Sequence, residues 1–410
     1  MAGVFFNASQ IGQADIFTDA HRSIIRLVEL VIERAHAARA SDVHLDPRAD
    51  AVFIRLRIDG VLQEAHSLPI SIHNEIISRI KILSGLRIDE HYSAQDGRFR
   101  SALSSGVSVD VRVSIVPTYY GENAVLRLLS DAAEEFTLNS LGFTASNRAA
   151  IMRALQRPYG MILATGPTGS GKTTSMYTLV KMLNEPGVSI VTLEDPIEYS
   201  IAGISQIQVN AKTGLTFSTG LRSVLRQDPN VIMVGEIRDE ETAGLAINTA
   251  LTGHRVLSTL HTNDAATTVA RLLDMGIEPY LIASTVSVAI GQRLVRRLCD
   301  SCKKEQPLID AEIMSLCDLV PGEILDASPK FFKGTGCGAC RETGFHGRAG
   351  IHEVLEIGGA VREAILGKMS ASQIRSVAMR EGMATILTDG FRKAAQGITS
   401  IEEVLKSRYE

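Results

Sequence analysis

A glycine-rich loop between an apolar run and a helix-forming segment constrains the fold of this chain more than any other feature. The apolar run covers residues 161–164, and the loop that follows reads Gly166-Pro167-Thr168-Gly169-Ser170-Gly171-Lys172-Thr173-Thr174. In this strand–loop–helix setting the sequence predicts a P-loop, whose backbone N–H groups surround phosphates at a helix N-terminus. The Lys172 ammonium is predicted to reach the outer phosphates, and the Thr173 hydroxyl to bind Mg²⁺. The chain is therefore predicted to bind a nucleoside triphosphate with Mg²⁺.

The length and composition favour a globular protein of several domains. A chain of 410 residues corresponds to about two to four domains, and a hydrophobic fraction of 45% is enough for buried cores. No apolar run is long enough to cross a membrane, and the first residues lack the features of a secretory signal. A net charge of −4 argues against a general nucleic-acid binder. We therefore expect a cytoplasmic protein, or one that is peripheral to a membrane.

Two patterns before residue 130 predict a small α+β domain. Apolar residues recur at helical spacing over residues 22–39, and they alternate with polar residues over 51–58 and 107–115, as in half-buried strands. We assign residues 22–130 to this domain, after an N-terminal extension of residues 1–21. Residues 131–147 are interpreted as a connector.

From about residue 148 the pattern changes to apolar strands that alternate with helices. The predicted strands cover residues 161–165, 188–193, 231–234 and 256–260. This alternation predicts an α/β domain over residues 148–298, with a mostly parallel sheet and helices on both faces. Residues 346–410 are expected to form a helical C-terminal region, broken at Gly397.

Two of the predicted strands end in carboxylates that could act on a bound nucleotide. Glu236 follows the strand 231–234, and Glu194 with Asp195 follows the strand 188–193. Carboxylates at the ends of neighbouring strands would flank the γ-phosphate, one binding Mg²⁺ and one orienting water. A plain surface carboxylate remains an alternative, above all for Asp195. His261, after the strand 256–260, could sense the γ-phosphate or bind a neighbouring subunit.

Several motifs together resemble the type II secretion and type IV pilus assembly ATPase family, over about residues 24 to 406. The matching segments are 192–198, 234–239, 253–263, 95–98, 110–114, 298–299, 347–354, 388–390, 397–399 and 402–404. The resemblance implies a homohexamer of RecA-like ATPase domains that hydrolyses ATP to power assembly of a pilus or a secretion pseudopilus. It also implies work beside an inner-membrane platform protein and other components of that machinery. From the acidic charge balance we expect no nucleic acid to be bound.

The chain departs from the family pattern at two places. Asn230 stands where the family usually has Asp, a change that preserves side-chain shape. Long members also carry a further N-terminal domain that docks on the membrane platform, and little sequence precedes residue 22. We therefore expect a truncated or a short form, whose own recruitment to the membrane is open.

Arginines of the N-terminal domain are a further candidate for the site. By resemblance, Arg98 and Arg112 are the residues expected to contact phosphate, across a subunit boundary or through domain closure. The alternative is that they lie on a solvated face of the sheet. Arg222, Arg226 and Arg238, close to the strand 231–234, could instead pair with local carboxylates.

Four cysteines form two C-x-x-C pairs, Cys299 with Cys302 and Cys337 with Cys340. Without a signal peptide the thiols should be reduced, and four thiolates are the ligand set of a closed structural Zn²⁺ site. The extension-type members of the family carry the same pairs. We therefore predict a zinc subdomain over residues 299–345, with unligated thiols as the alternative. Cys317, between the pairs, is interpreted as free or partly buried.

A cluster of basic residues precedes and follows the first cysteine pair. It consists of Arg293, Arg296, Arg297, Lys303 and Lys304. We interpret it as the solvated end of a helix rather than as a phosphate-binding patch.

Two other functions remain open. One is a nucleic-acid translocase or DNA-uptake motor, since RecA-like rings also move DNA, although the chain has no tryptophan and no basic–aromatic stripe. The other is a scaffold that binds nucleotide without hydrolysis, which the intact Lys172, Glu194 and Glu236 disfavour.

Overall fold

The computed structural model describes residues 23–130, 136–307 and 330–408, which divide at residue 133 into two compact units. The predicted N-terminal extension, residues 1–21, and Cys317 lie outside the described residues. Among the helices of these three ranges, none has the length and hydropathy that a membrane span requires.

The first unit is an antiparallel sheet covered by two helices. Its elements are α1 (Ile24–Ala37), β1 (Ala40–Pro47), β2 (Ala51–Ile58), β3 (Val61–Pro69), α2 (His73–Leu83), β4 (Gln95–Ala102), β5 (Ser108–Thr118) and β6 (Gly121–Ser130). The strand order is β3-β2-β1-β6-β5-β4. Alternate valines of β5 are buried, as predicted, but Val107 is 42% exposed because it precedes the strand.

The second unit contains a seven-stranded sheet whose strands are mostly parallel, so the predicted α/β class is confirmed. Its strands are β7 (Gly160–Thr165), β8 (Ile190–Glu194), β9 (Ser205–Gln208), β10 (Val231–Val234), β11 (Arg255–Leu260), β12 (Val286–Leu298) and β15 (Phe345–Glu356). The strand order is β15-β12-β7-β11-β10-β8-β9. Only the contact between β12 and β15 is antiparallel.

Helices cover both faces of this sheet, as the alternating pattern predicted. They are α3 (Ala145–Gln156), α4 (Lys172–Leu183), α5 (Phe217–Val224), α6 (Glu240–Leu251), α7 (Ala265–Asp274), α8 (Pro279–Thr285), α9 (Gly359–Leu366), α10 (Ala371–Arg380), α11 (Ile386–Ala395) and α12 (Ile401–Lys406). One apolar core joins the sheet to α3 and α4, and a second joins it to α5 through α10. Both cores are built from strand residues that are buried on both sides, as is typical of parallel sheets.

Three assignments need correction. The sheet continues past residue 298, because residues 345–356 form β15 rather than part of a helical region. The connector assigned to residues 131–147 contains Leu138 and Phe143, which are buried in the core with α3 and α4. The basic cluster is not a helix end: Arg293 and Arg296 lie within β12, where Arg293 is 6% exposed and Arg296 pairs with Glu403 at 2.7 Å.

The four described cysteines lie in an insertion between two neighbouring strands. Residues 299–344 connect β12 to β15, whose ends are paired at Leu298 and Phe345. The insertion contains a small antiparallel pair, β13 (Lys303–Gln306) and β14 (Phe331–Gly334). Phe331 of β14 packs against Phe391 and Val404 of the C-terminal helices, so the insertion shares a small core with them.

Candidate active site

The P-loop has the conformation that phosphate binding requires. Strand β7 is fully buried and leads into the loop, and α4 begins at Lys172. Gly166, Gly169 and Gly171 have φ values of 145°, 81° and 86°, a region that side chains disfavour. Such turns let successive N–H groups converge on an anion at the start of a helix.

The side chain of Lys172 lies along the loop. Its ammonium donates hydrogen bonds to the carbonyl oxygens of Gly166 at 2.7 Å and Pro167 at 3.0 Å. Burial lowers the pKa of Lys172 to about 8, Arg293 acts in the same direction, and the charge of Glu236 opposes them. Lys172 is therefore close enough to Glu236 and Arg293 for their charges to change its pKa. At neutral pH it is mostly protonated.

If Lys172 contacts the phosphates as predicted, this pKa makes nucleotide affinity depend on pH. Bound phosphate stabilises the protonated ammonium, so binding requires Lys172 to take up a proton whenever it is neutral beforehand. We expect affinity for MgATP to be constant below about pH 8 and to fall as the pH rises through that value, by up to about tenfold per pH unit. Equilibrium titration with a fluorescent ATP analogue at alkaline pH, where the charge of the triphosphate is constant, measures this. A flat profile between neutral pH and about two units above would contradict the pKa assigned to Lys172.

Glu236 lies in a cluster of charged side chains past the end of β10. It accepts hydrogen bonds from Arg238 at 2.5 Å and from His261 Nε2 at 3.0 Å, and Arg238 also lies 3.7 Å from Asp195. Burial acts to raise the pKa of the Glu236 carboxyl, but Arg238 and His261 outweigh it, so the pKa is below its usual range. Glu236 is therefore an anion at neutral pH, as a ligand of Mg²⁺ or of its bound water must be.

Glu194 ends the neighbouring strand but is far more enclosed. It is 2% exposed, and its carboxylate accepts hydrogen bonds from Tyr177 of α4, Thr192 of β8 and Gln206 of β9. Strands β8 and β10 are parallel neighbours, with Leu193 opposite Val234, so both carboxylates lie at one edge of the sheet. This is the placement that the sequence predicted for the pair.

The arginines of the first unit form a row across its sheet. Arg98 of β4 is directly opposite Arg112 of β5, which is directly opposite Arg127 of β6. Arg127 pairs with Asp42 of β1 at 3.0 Å. The strand register therefore places these three arginines side by side on one face of the sheet.

The four cysteines form a compact cluster. Their sulfur atoms all lie within 4.8 Å of one another. The Cys299–Cys337 and Cys302–Cys340 sulfur pairs are 3.8 Å apart, and the Cys337–Cys340 pair is 3.7 Å apart. A tetrahedral Zn²⁺ with bonds of about 2.3 Å requires sulfur–sulfur distances of about 3.8 Å. The donor set and its spacing therefore fit a zinc ion.

Comparison with known proteins identifies the family. The type II/IV secretion system protein family matches residues 18–406. The chain belongs to this family. Its similar relatives include the type IV pilus assembly ATPase PilB of Myxococcus xanthus, which is 43% identical over 93% of this chain and 67% of the relative. The type II secretion system protein E of Aeromonas hydrophila is 43% identical over 98% of this chain and 79% of the relative.

Coverage of the relatives varies, and two solved structures share the fold. The chain spans 43% of the PilB of Thermus thermophilus, to which it is 46% identical. The pilus retraction motor PilT with bound ADP has a TM-score of 0.63 at 25% identity, covering 92% of this chain and 96% of PilT. The ATPase DotB of Legionella pneumophila has a TM-score of 0.66 at 23% identity, with 92% and 94% covered, and so supports the fold. The family is one of ATPases, so the enzyme class is confirmed and the nucleic-acid translocase is not favoured.

The structure brings to these sites several residues that the sequence motifs did not predict. Tyr177 and Gln206 hold Glu194, and Arg127 extends the arginine row. Arg127 lies on the strand next to Arg112 and directly opposite it. This proximity cannot be recognised until the strand register is known. Arg222 and Arg238 do pair with carboxylates, the former with Glu241 at 2.7 Å.

Proposed function

We propose that this chain is a Mg²⁺-dependent motor that couples ATP hydrolysis to the assembly of a type IV pilus or a type II secretion pseudopilus. The observation that carries the proposal is the placement of a P-loop lysine and two carboxylates at one edge of the sheet. Lys172, Thr173 and the loop amides, from Gly166 to Thr174, would bind the phosphates and Mg²⁺. Glu236 would hold Mg²⁺ or its water, Glu194 would orient the attacking water, and His261 would sense the γ-phosphate through Glu236.

The working form is proposed to be a homohexamer. The arginine row supports this, because Arg98 and Arg112 lie directly opposite each other on one face of the sheet, and an arginine brought to the γ-phosphate stabilises the charge of the transition state. Partners are the inner-membrane platform protein and other components of the machinery, and the protein works in the cytoplasm at the inner membrane. Nucleic acid is not among the proposed partners.

The test of the proposal compares the partners that would stimulate hydrolysis. We expect steady-state ATPase activity of the purified ring to rise when a cognate platform protein is added in detergent or nanodiscs. DNA should leave the activity unchanged. Stimulation by DNA without any response to the platform protein would favour the translocase, and binding of ATP without turnover would favour a scaffold.

The cysteine cluster is proposed to hold one structural Zn²⁺. Four thiolates leave no open position on the metal, so the ion would contribute folding free energy to residues 299–344 rather than chemistry. Backbone N–H groups of Cys337 and Gly344 donate to the Cys340 sulfur, both at 3.2 Å, which stabilises a thiolate there.

Removal of one ligand should therefore loosen the insertion while leaving the P-loop intact. We expect Cys337→Ser to lose most of the zinc and to increase hydrogen exchange in β13 and β14, with ATP affinity within about twofold of the unaltered protein. Assembly activity should fall because β14 packs on the C-terminal helices. Elemental analysis and exchange mass spectrometry measure these effects, and Thr335→Ser, a conservative exchange in the same loop, is the control. Protein purified without chelator that holds no zinc and has four freely titrating thiols would disprove the site.

A further inference from the structure

Gln292 is a buried polar side chain that contacts the P-loop from a neighbouring strand and lies outside the loop motif of residues 166–174. It lies on β12, next to β7, and is 2% exposed. Its Nε2 donates to the carbonyl oxygen of Ser170 at 2.8 Å, and its Oε1 accepts from the Ser175 hydroxyl at 2.7 Å. A carbonyl oxygen can only accept, so the orientation of the Gln292 amide is fixed by its partners.

The hydrogen bond to Ser170 determines where the next N–H group points. In a planar trans peptide the C=O and the following N–H point in opposite directions. The carbonyl of Ser170 accepts from Gln292 of β12, so the N–H of Gly171 points away from Gln292. Gly171, with its φ of 86°, has no side chain to restrain this peptide by itself.

Strand β12 packs so closely against the loop that two loop positions have no room for a side chain. A Cβ atom placed on Gly166 would lie 2.3 Å from the backbone carbonyl oxygen of Gln292. A Cβ atom placed on Gly171 would lie 2.8 Å from Nε2 of the Gln292 side chain. Two of the loop glycines are therefore required by the close approach of Gln292, in addition to their backbone conformation.

We propose that Gln292 is a positioning residue for nucleotide binding. Its amide connects the loop at Ser170 to the first turn of α4 at Ser175, and so brackets Lys172 and Thr173. These two hydrogen bonds, which we call the clamp, hold the N–H of Gly171 toward the phosphates before nucleotide binds. Gln292 acts through the loop and does not touch the nucleotide. This inference rests on the proposed ATP binding by the P-loop.

The most direct test is Gln292→Glu, which keeps the shape and the acceptor for Ser175 but places a carboxylate oxygen against the Ser170 carbonyl. We expect the KM for ATP and the Kd for ADP to rise about tenfold or more, with kcat within about threefold. Exchange mass spectrometry without nucleotide should show faster exchange in residues 166–175 and unchanged exchange in β7 and β11. Gln292→Met, which fills the same space without hydrogen bonds, should show a similar rise in KM if Gln292→Glu does not fold.

Ser175→Ala is the matched control, since it removes only the helix end of the clamp and should raise the KM by about threefold or less. Wild-type KM and loop exchange in both Gln292 variants would overturn the proposal. Faster exchange throughout β7 and β12, or a loss of kcat at unchanged KM, would also overturn it, because either would indicate a packing role. A wild-type protein that fails to bind ATP would instead refute the proposed function itself.

Discussion

Lys172→Ala is expected to abolish tight ATP binding, whereas Glu236→Gln is expected to keep ATP bound and lose turnover. In its proposed role Lys172 would supply charge-assisted hydrogen bonds to phosphate, so affinity should fall about 10²-fold or more. In its proposed role on Mg²⁺, Glu236 would contribute several kcal/mol of stabilisation that appears only in the transition state, so turnover should fall about 10²- to 10³-fold. Isothermal titration with MgATP and a steady-state phosphate-release assay separate the two effects.

Glu363→Gln provides a control, because this carboxylate is exposed on α9 and belongs to no site described above. It should bind and hydrolyse ATP like the unaltered protein. If Glu236→Gln released phosphate near the wild-type rate, Glu236 could not be the group that acts on Mg²⁺.

Arg112→Ala is expected to reduce turnover by about 10³-fold while changing nucleotide affinity by less than tenfold. An arginine that meets the γ-phosphate acts mainly on the charge of the transition state, and its removal is costly for the rate. If that arginine acts between subunits, activity per chain should also rise with protein concentration as rings form. Single-turnover kinetics, nucleotide titration and mass photometry over a dilution series measure the three quantities.

Arg100→Ala is the matched control on the same sheet. Arg100 pairs with Asp110 at 2.7 Å, an exposed ion pair that contributes little free energy, so turnover should be nearly unchanged. An Arg112→Ala variant with normal turnover, or a monomer fully active at high dilution, would remove the arginine row from the mechanism.

The parts of the fold that sequence predicted are those with a local pattern. The P-loop is specified by consecutive residues, and β10 is a short apolar run followed at once by Glu236. The strands of the first unit alternate because one face is buried, so β2 and β5 could be recognised from their own residues. The carboxylate pair followed from the rule that parallel strands end at one edge.

The parts of the fold that could not be predicted from the sequence depend on contacts between residues that are distant in the chain. Strand β12 is buried on nearly every position, so its polar residues Gln292 and Arg293 were not expected inside a sheet. In β15, His352 and Glu353 are also buried, which conceals the strand in a segment that resembled polar helix. Burial of the Glu353 carboxyl group is compensated by partners that are distant in the chain, such as the N–H of Ala265, which donates to Glu353 at 2.6 Å. No local pattern specifies such partners.

The insertion of the cysteine region between β12 and β15 makes this point of the chain suitable for exchange of whole modules. Its two ends, Leu298 and Phe345, are already held side by side as partners in one hairpin. A replacement of almost any length can therefore begin and end there at little cost in loop closure, provided that its own termini are close together. The replacement would have to cover the apolar surface that Phe331 now fills against the C-terminal helices. A small reporter domain with adjacent termini and one apolar face could thus be grafted onto the motor without altering its sheet.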